Sequence, residues 1–313
     1  MATKYSEEEA DSFLPEAKSK IANLDPRQLI YTLIAEPKWG KTTFFCDFED
    51  ALLVAFEQGH AFQEVAKVII DTWDAKKSEG PYKDDNGEIH MTVMELVATL
   101  QGSSKYKFII FDTADMASKM CLDYHLPLYN MVHPSDQSFG KGYDIAQNQP
   151  FRAAVNAIMR TGRGIGFITH SKVKSTMFAA GEQSKKETSL PGGIQHLIIT
   201  QSDIVMHGEF GRKLKGSQER DRVVRLKGDK EILAGGRANG KFVNLPEKFV
   251  LDPENQYAQW SAFFTDKTAA DREYKNFLIR TKQLDESEAE TDTPAEVTSE
   301  EKPATTRRSK TNK

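Results

Sequence analysis

The sequence predicts an α/β protein with a mostly parallel central sheet between helices and antiparallel strands at one edge. Three observations lead to this fold class. Short, almost wholly apolar runs recur along the chain, as is typical of strands covered on both faces of a parallel sheet. Segments with apolar residues three and four apart separate several runs and predict helices. Two later runs lie close together, which predicts an antiparallel hairpin.

The predicted strands are mostly apolar or β-branched, and they are LIYTLIA (29–35), ALLVAF (51–56), KVIIDTW (67–73), KFIIFD (107–112), GIGFITH (164–170), SDIVMHGEF (202–210) and DRVVRLKGD (221–229). The predicted helices are MTVMELVATLQ (91–101) and NQPFRAAVNAIMR (148–160). Residues 75–90 are rich in turn formers and predict a surface insertion. We predict long loops at 131–145 and 171–193, and loops of such length are usually functional or mobile.

Composition narrows the classes of protein. The chain has 313 residues, 39% hydrophobic and 10% aromatic, as in ordinary globular proteins. A formal charge of −4 argues against a protein that coats nucleic acid with its whole surface, although local basic patches remain possible. Cys46 and Cys121 lack metal-binding spacing and predict free thiols in a reducing compartment. The polar, acidic N-terminus and the lack of a long apolar stretch predict a cytoplasmic protein without a membrane partner.

The stretch AEPKWGKTT follows the first predicted strand and matches the phosphate-binding pattern Gly-x-x-x-x-Gly-Lys-Ser/Thr, with alanine at the first glycine position. Backbone N–H groups of such a loop surround phosphate oxygens, the lysine reaches the β- and γ-phosphates, and the hydroxyl binds Mg²⁺. We therefore predict a site for ATP and Mg²⁺. Its nucleotide-binding residues are Ala35, Glu36, Pro37, Lys38, Trp39, Gly40, Lys41, Thr42 and Thr43, with Thr42 also a metal ligand.

Three further side chains follow apolar strands and are expected at the same edge of the sheet. Asp112 ends KFIIFD, where a carboxylate can hold Mg²⁺ directly or through water; the alternative is a helix cap. Glu57 follows ALLVAF and could deprotonate the attacking water, or it is a solvated strand-end residue. His170 ends GIGFITH, where it could report the nucleotide state or serve only as a hydrogen-bonded histidine. Asp115 is expected in a first helical turn.

Together these motifs resemble the RecA-like P-loop ATPases, above all phage-encoded AAA-type ATPases and ATP-dependent single-strand-annealing recombinases. The resemblance covers roughly residues 27–250 and depends on AEPKWGKTT, VAFEQG, KFIIFDTAD, FGKGYD, GFITHSK, LPGG and RVVRLKGDKEILAGGR, in that order. It implies a RecA-like ATPase domain, which we place at 28–265 between a polar segment (1–27) and a helix (266–284). Residues 285–313 lack apolar periodicity and are acidic first and basic at the very end, which predicts a disordered charged tail. A phage protein would act in the host cytoplasm.

The resemblance also implies roles for particular residues. Glu57 matches the family's glutamate base, and with Lys41 and His170 it forms the predicted catalytic set, although His170 replaces the commoner glutamine sensor. Residues 131–145 and 171–193 occupy the places of the family's two DNA-binding loops. Basic residues on a later strand reach the ATP of a neighbouring subunit in a ring or filament, and the candidates for these fingers are Arg225, Lys227 and Arg237.

The two predicted loops combine basic and aromatic residues. Lysines contact phosphates, and an aromatic ring stacks on a base for about 1–3 kcal/mol, although charged loops are often only solvated. The candidate contacts to single-stranded DNA are Lys141, Tyr143, Lys172, Lys174, Phe178, Lys185 and Lys186.

Three functions remain open at this stage. The first is an ATPase that acts on single-stranded DNA in phage recombination or replication. The second is a small-molecule kinase, which the absence of arginine from the 171–193 segment disfavours. The third is a nucleotide switch or loader that does not bind DNA itself. Under each hypothesis the tail could recruit a protein partner.

Overall fold

The computed structural model describes residues 25–57, 63–74, 80–178, 181–213, 220–237 and 243–289. Within these ranges, the side chains at 176–178, 181–183, 212–213 and 282–289 are not described. Residues 1–24 of the predicted N-terminal segment, 290–313 of the predicted tail and the side chain of Phe178 therefore lie outside the described part of the chain.

Twelve strands belong to one sheet in the described residues. They are β1 (Ile30–Ala35), β2 (Ala51–Ala55), β3 (Ala66–Ile70), β4 (Tyr82–Lys83), β5 (Ile89–Met91), β6 (Phe108–Asp112), β7 (Gly164–Phe178), β8 (Gly181–Thr188), β9 (Ile204–Lys213), β10 (Arg220–Arg225), β11 (Gly235–Gly236) and β12 (Lys248–Val250). The α-helices are α1 (Lys41–Cys46), α2 (Val93–Gln101), α3 (Ala114–Leu128), α4 (Lys141–Tyr143), α5 (Gln149–Met159), α6 (Gly192–Gln201), α7 (Gln256–Thr265) and α8 (Ala269–Ala289).

The main path of the sheet runs β12-β10-β9-β1-β7-β6-β2-β3-β5-β4. The central strands from β9 to β5 pair in parallel, whereas β10 and β12 add an antiparallel edge next to β9. Strand β1 lies between β7 and β9, and β6 and β2 follow on the far side of β7. The carboxyl ends of β1, β7, β6 and β2 therefore meet at one edge, which is where ligands bind in open α/β sheets.

A hydrophobic core covers each face of the sheet. On one face, helices α2, α5 and α6 pack side chains such as Leu96, Phe151 and Ile194 against strand residues. The other face is aromatic, because Phe45 of α1 and Trp260 of α7 pack against Tyr31 of β1. Burying an aromatic side chain of this size contributes roughly 1.5–3 kcal/mol, so these rings hold the short helix α1 firmly on the sheet.

The predicted fold class is correct, and the main predicted strands and helices are present with small shifts at their ends. The prediction of a loop at 171–193 is wrong. Strand β7 continues eight residues past His170 and pairs with β8 from Ser171↔Thr188 to Phe178↔Gly181. Backbone pairing, which the polar sequence does not signal, forms this hairpin. The 131–145 segment is also more regular than predicted, because it contains two 3₁₀ turns, helix α4 and the start of a π-helical turn at Asp144–Asn148.

The C-terminal helix α8 extends to Ala289 and so includes the first five residues of the predicted tail. These residues, DESEA, include good helix formers. The domain boundaries and the disorder of the rest of the tail remain predictions. None of the helices in the described ranges has the length and apolar character that a membrane span requires.

Candidate functional site

The phosphate loop (residues 35–42) joins β1 to α1 and has an unusual backbone conformation. Gly40 precedes the helix with φ 100° and ψ 25°, and Lys38 also has a positive φ of 65°. Glycine adopts the left-handed region without the steric cost that a Cβ atom brings, which explains why the motif requires it directly before the helix. The loop therefore turns tightly enough to bring Lys41 and Thr42 to the carboxyl edge of the sheet.

Lys41 is the central charged group of this loop. Its side chain is only 6% exposed, and its ammonium donates hydrogen bonds to the carbonyl oxygens of Ala35 and Glu36, both at 3.0 Å. The same Nζ lies 3.3 Å from Nδ1 of His170. Burial lowers the pKa of Lys41, and the negative charges of Asp112, Asp115 and Glu57 act against this shift. The ammonium is thus held at the loop, next to side chains from four other parts of the fold, namely β6, β7, α3 and the residues just after β2.

Thr42 and Asp112 form the second contact across the edge. The Thr42 hydroxyl donates a 2.8 Å hydrogen bond to Oδ2 of Asp112, the last residue of β6. The Asp112–Thr113 peptide bond is cis. Hydroxyl and carboxylate oxygens are the ligands that Mg²⁺ prefers, so this pair fits a magnesium site. Here the structure brings together the two residues that the sequence suggested as metal ligands.

A cavity of about 360 Å³ opens in front of the loop. Its wall consists of loop residues together with Glu57, Gln63, Asp112, Thr113 and His170. Glu57 follows β2 directly, and its carboxylate contributes to the charge around Lys41. We call the surface formed by His170, Asp112 and Glu57 the carboxylate side of the loop. The three residues predicted from separate strands therefore face one cavity.

Asp115 connects this side to the β7–β8 hairpin, a role that the sequence did not suggest. It lies in the first turn of α3, as predicted, and its Oδ2 accepts a 3.2 Å hydrogen bond from the backbone N–H of His170. Its other oxygen accepts a hydrogen bond from the Ser189 hydroxyl, and the Ser189 N–H donates to the His170 carbonyl at 2.8 Å. One carboxylate thus holds both strands at the base of the hairpin.

The hairpin carries the lysines that were predicted to contact DNA. Lys172 and Lys174 are exposed, and Lys174 lies opposite Lys185 in the pairing register. Two of the four lysines also have carboxylate partners: Lys174 lies 3.5 Å from Glu187, and Lys186 lies 3.9 Å from Glu36 of the phosphate loop. The Lys186–Glu36 pair is exposed and contributes about 0–1 kcal/mol, so Lys186 can readily exchange Glu36 for another anion. Glu187 is buried, so releasing Lys174 from it is less favourable.

The other predicted DNA contacts, Lys141 and Tyr143, are both exposed on the 131–145 segment. Nearby lies Phe139, which sequence reasoning missed although it is 99% exposed with a positive φ of 56°. The residues FGKGY place this aromatic beside a glycine and a lysine, a combination that could have drawn attention to it.

The finger candidates have different environments. Arg225 is largely buried and lies 3.1 Å from Asp229 and 3.9 Å from Glu209, and Lys227 pairs with Glu247. Arg237 is exposed. Arg225 and Lys227 therefore already have carboxylate partners within the chain, whereas Arg237 has its side chain in solvent. The assignment of any of them to a neighbouring subunit remains a prediction.

On the opposite side of β1, the loop packs against the β9–β10 hairpin. Trp39 is fully buried, donates its indole N–H to the Glu209 carbonyl at 2.9 Å, and lies so close to Gly208 that a Cβ there would be 2.6 Å from the indole ring. Arg222 of β10 lies directly against Gly40. We call this surface, formed by Gly208, Glu209 and Arg222, the arginine side of the loop. Sequence reasoning did not identify it.

His207 is a buried titratable group on β9, next to this surface. Burial, assisted by the positive charges of Lys186 and Arg225, lowers its pKa to about 4. Its Nδ1 has no hydrogen-bond partner among the described residues. His207 is therefore neutral at physiological pH, and its protonation would bring a charge into the sheet.

A second group of metal-type ligands lies far along the sheet, on the β4–β5 hairpin. Asp84, Glu88 and His90 approach one another there. Glu88 is already paired with Lys67, His90 lies 2.8 Å from Asp71, and Asp84 accepts hydrogen bonds within its own turn. These contacts show that the three side chains stabilise the β4–β5 hairpin, and we assign no metal to them.

The sheet order and the phosphate loop define a P-loop ATPase fold of the RecA-like type, which implies use of a nucleotide and usually of Mg²⁺. A family model described as an AAA domain matches residues 27–238, more than half of the chain. The chain belongs to this AAA domain family.

Solved structures with a related arrangement include two archaeal proteins. One is a KaiC-like protein from the hyperthermophilic archaeon Pyrococcus horikoshii OT3, with 10% identity and a TM-score of 0.35 over 74% of this chain and 88% of that chain. Another is the flagellar accessory protein FlaH from Methanocaldococcus jannaschii, with 11% identity and a TM-score of 0.39 over the same shares, 74% and 88%. A search of curated proteins finds no relative that matches this chain.

Proposed function

We propose that this protein binds and hydrolyses ATP and uses the cycle to act on single-stranded DNA in phage recombination or replication. The observation that carries the ATPase part is the convergence of Lys41, Thr42, Asp112 and Glu57 on one cavity at the carboxyl edge of the sheet. These side chains come from three strands or helices, and together they supply the cation, the metal ligands and the carboxylate that phosphoryl transfer to water requires.

The residues divide the chemistry among them. Lys41 leaves the Ala35 and Glu36 carbonyls to bind the β- and γ-phosphates, and loop N–H groups bind the remaining oxygens. Thr42 and Asp112 would hold Mg²⁺, which when bound neutralises phosphate charge. Glu57 orients the attacking water and accepts its proton. The water oxygen bonds to the γ-phosphorus, the bond from that phosphorus to the β–γ bridging oxygen breaks so that ADP leaves, and the water proton moves to a Glu57 carboxylate oxygen.

The contacts around His170 support a link from ATP to DNA. His170 lies 3.3 Å from the Lys41 ammonium and belongs to the same continuous strand as Lys172 and Lys174. When Lys41 turns to the phosphates, its contact with His170 is lost. Because His170 belongs to β7, this change shifts the position of the β7–β8 hairpin. We propose that the hairpin lysines, together with Lys141, Tyr143 and Phe178, bind the DNA, and that Phe139 adds a stacking surface.

Assembly is part of this proposal. In a ring or filament, a basic residue from the next subunit would complete the site, and the exposed Arg237 is a better candidate than the paired Arg225 or Lys227. The charged tail would recruit a protein partner.

A nucleotide switch that does not bind DNA is the second candidate function. It is favoured by the ion pairs of Lys174 with Glu187 and of Lys186 with Glu36, because they occupy two of the four hairpin lysines. In that case the hairpin lysines would pair with carboxylates of the same chain and would not contact DNA.

Two measurements separate these candidates. We expect single-stranded DNA to stimulate the ATPase rate, whereas stimulation by a small acceptor would indicate a kinase and no stimulation a switch.

Replacing Lys172, Lys174, Lys185 and Lys186 together by glutamine should flatten the dependence of DNA affinity on salt, by about 0.7 in slope for each phosphate that a lysine no longer neutralises. Lys83, Lys105, Lys107 and Lys119 are exposed lysines outside the hairpin and provide a charge-matched control. An equal change of the salt dependence in both variants would show that DNA binds elsewhere on the protein.

A further inference from the structure

Arg222 lies against the phosphate loop of its own chain. A Cβ atom at Gly40 would be 2.4 Å from Nη1 and 3.2 Å from Cζ of Arg222. The guanidinium therefore packs on the backbone of Gly40, the residue directly before Lys41, and Gly40 itself lines the cavity.

The guanidinium of Arg222 differs from its neighbours in its contacts. Within the described ranges, the Arg222 side chain is half-buried and makes neither a hydrogen bond nor an ion pair. Two other arginines of this region are engaged: Arg225 pairs with Asp229, and Arg280 pairs with Asp221 at 2.7 Å. A guanidinium has five N–H donors, and a partly desolvated one without an acceptor is unfavourable unless an anion binds beside it.

The sheet order indicates which phosphate of a bound nucleotide would lie beside Arg222. Asp112 ends β6, Glu57 lies just beyond the end of β2, and His170 lies in β7 opposite Ala35, the last residue of β1. All three are on one side of β1. Arg222 belongs to β10, which lies beyond β9 on the opposite side of β1. The phosphate that is cleaved must face the carboxylate side, so the rest of the nucleotide extends from the loop in another direction.

We propose that Arg222 binds the end of the nucleotide that is not cleaved, with its guanidinium donating to oxygens of the α- or β-phosphate. This inference depends on the proposed ATP-binding function. Guanidinium groups suit the task because their parallel N–H donors match phosphate oxygens.

The packing of Trp39 explains how Arg222 is kept in position. The indole of Trp39 bonds to the Glu209 carbonyl and lies over Gly208, so the phosphate loop and the β9–β10 hairpin are held together. Arg222 therefore acts on the nucleotide of its own chain, unlike a finger from a neighbouring subunit.

Calorimetry with Mg·ADP and with a non-hydrolysable Mg·ATP analogue tests this role in the full chain. We expect Arg222→Gln to weaken both ligands about ten-fold and equally, because the contact lies on the part of the nucleotide that they share. Arg222→Lys should recover part of the affinity. Arg220→Gln, an exposed arginine two residues away on the same strand, is the matched control and should bind as the wild type does.

The outcomes are distinguishable. Unchanged ADP affinity in folded Arg222→Gln would overturn the inference, and a loss confined to the ATP analogue would place Arg222 at the cleaved end instead. If Arg222→Gln does not fold, the guanidinium NMR signal of Arg222 in the wild type decides: it should shift on saturation with Mg·ADP, and a constant signal contradicts the contact. If the wild type itself binds no nucleotide, the proposed function fails as well.

Discussion

The two sides of the phosphate loop differ in chemistry and in how they are built. The carboxylate side consists of the ends of parallel strands, and its groups Asp112, Glu57 and His170 face the cavity. The arginine side is an antiparallel hairpin, and it contacts the loop through a buried tryptophan, a glycine and Arg222. One side thus gathers ionisable groups at the cavity, and the other holds the loop in place. The difference suggests that turnover and affinity can be changed separately by substitutions on the two sides.

The largest effect is expected from Lys41, the central charged group of the phosphate loop. Lys41→Ala removes two charge-assisted contacts to phosphate, each about 1.5–3 kcal/mol, and should lower nucleotide affinity by about 100-fold or more. Turnover should disappear with it. Calorimetry with Mg·ATP measures the affinity, and Lys119→Ala, on the exposed surface of α3, is the control. Tight ATP binding by Lys41→Ala would show that residues 35–42 do not bind the phosphates. The contrast between the two sides of the loop would then have no bearing on nucleotide binding.

Glu57→Gln tests the carboxylate side alone. The amide keeps the shape of the side chain but accepts no proton, so the turnover number should fall about 100-fold or more while nucleotide affinity changes little. Steady-state ATPase rates and calorimetry measure the two quantities. The exposed Glu64, close to Glu57 in sequence, provides Glu64→Gln as a control. Normal turnover in Glu57→Gln would mean that another group accepts the proton.

The smallest expected effect concerns stability on the arginine side. His207 has a pKa of about 4 in the folded protein and about 6.5 when unfolded, so the unfolded chain binds the proton more readily between these values. The free energy of unfolding should therefore decrease as pH falls through this range. Between pH 7.5 and 5, His207 should account for about 2 kcal/mol of the decrease.

Urea unfolding of the wild type, His207→Gln and the exposed-histidine control His196→Gln measures this contribution. The wild type and His196→Gln should lose the same stability on acidification, and His207→Gln should lose less. Parallel losses in all three proteins would show that His207 is protonated in the folded state at pH 5.

The sequence revealed one side of the loop and not the other, for a physical reason. Lys41, Thr42, Asp112 and Glu57 each follow a strand and belong to short patterns, so their meeting at one edge follows from parallel pairing. Arg222 and Gly40 are 182 positions apart, and their contact depends on an antiparallel strand turning back beside β9. No local pattern encodes such a contact, and the same holds for Asp115 and Ser189.

The β7–β8 hairpin was missed for a related reason. Its strands contain serines, lysines and glutamates without the alternation of apolar and polar residues that signals a half-buried strand. The pairing of Lys172 with Glu187 and of Ser175 with Ser184 is evident only once the chain has folded back. The lysines themselves could be identified from sequence, but their arrangement on two paired strands could not.

The unbroken course of β7 has a mechanical consequence. From His170 to Phe178 the strand spans eight steps of about 3.3 Å each, and its partner β8 stiffens it. If the two paired strands tilted together by about 5° at His170, the far end of the hairpin would move by about 2 Å. A small change in the contact between His170 and the Lys41 ammonium would in this way give a larger displacement at the far end of the hairpin.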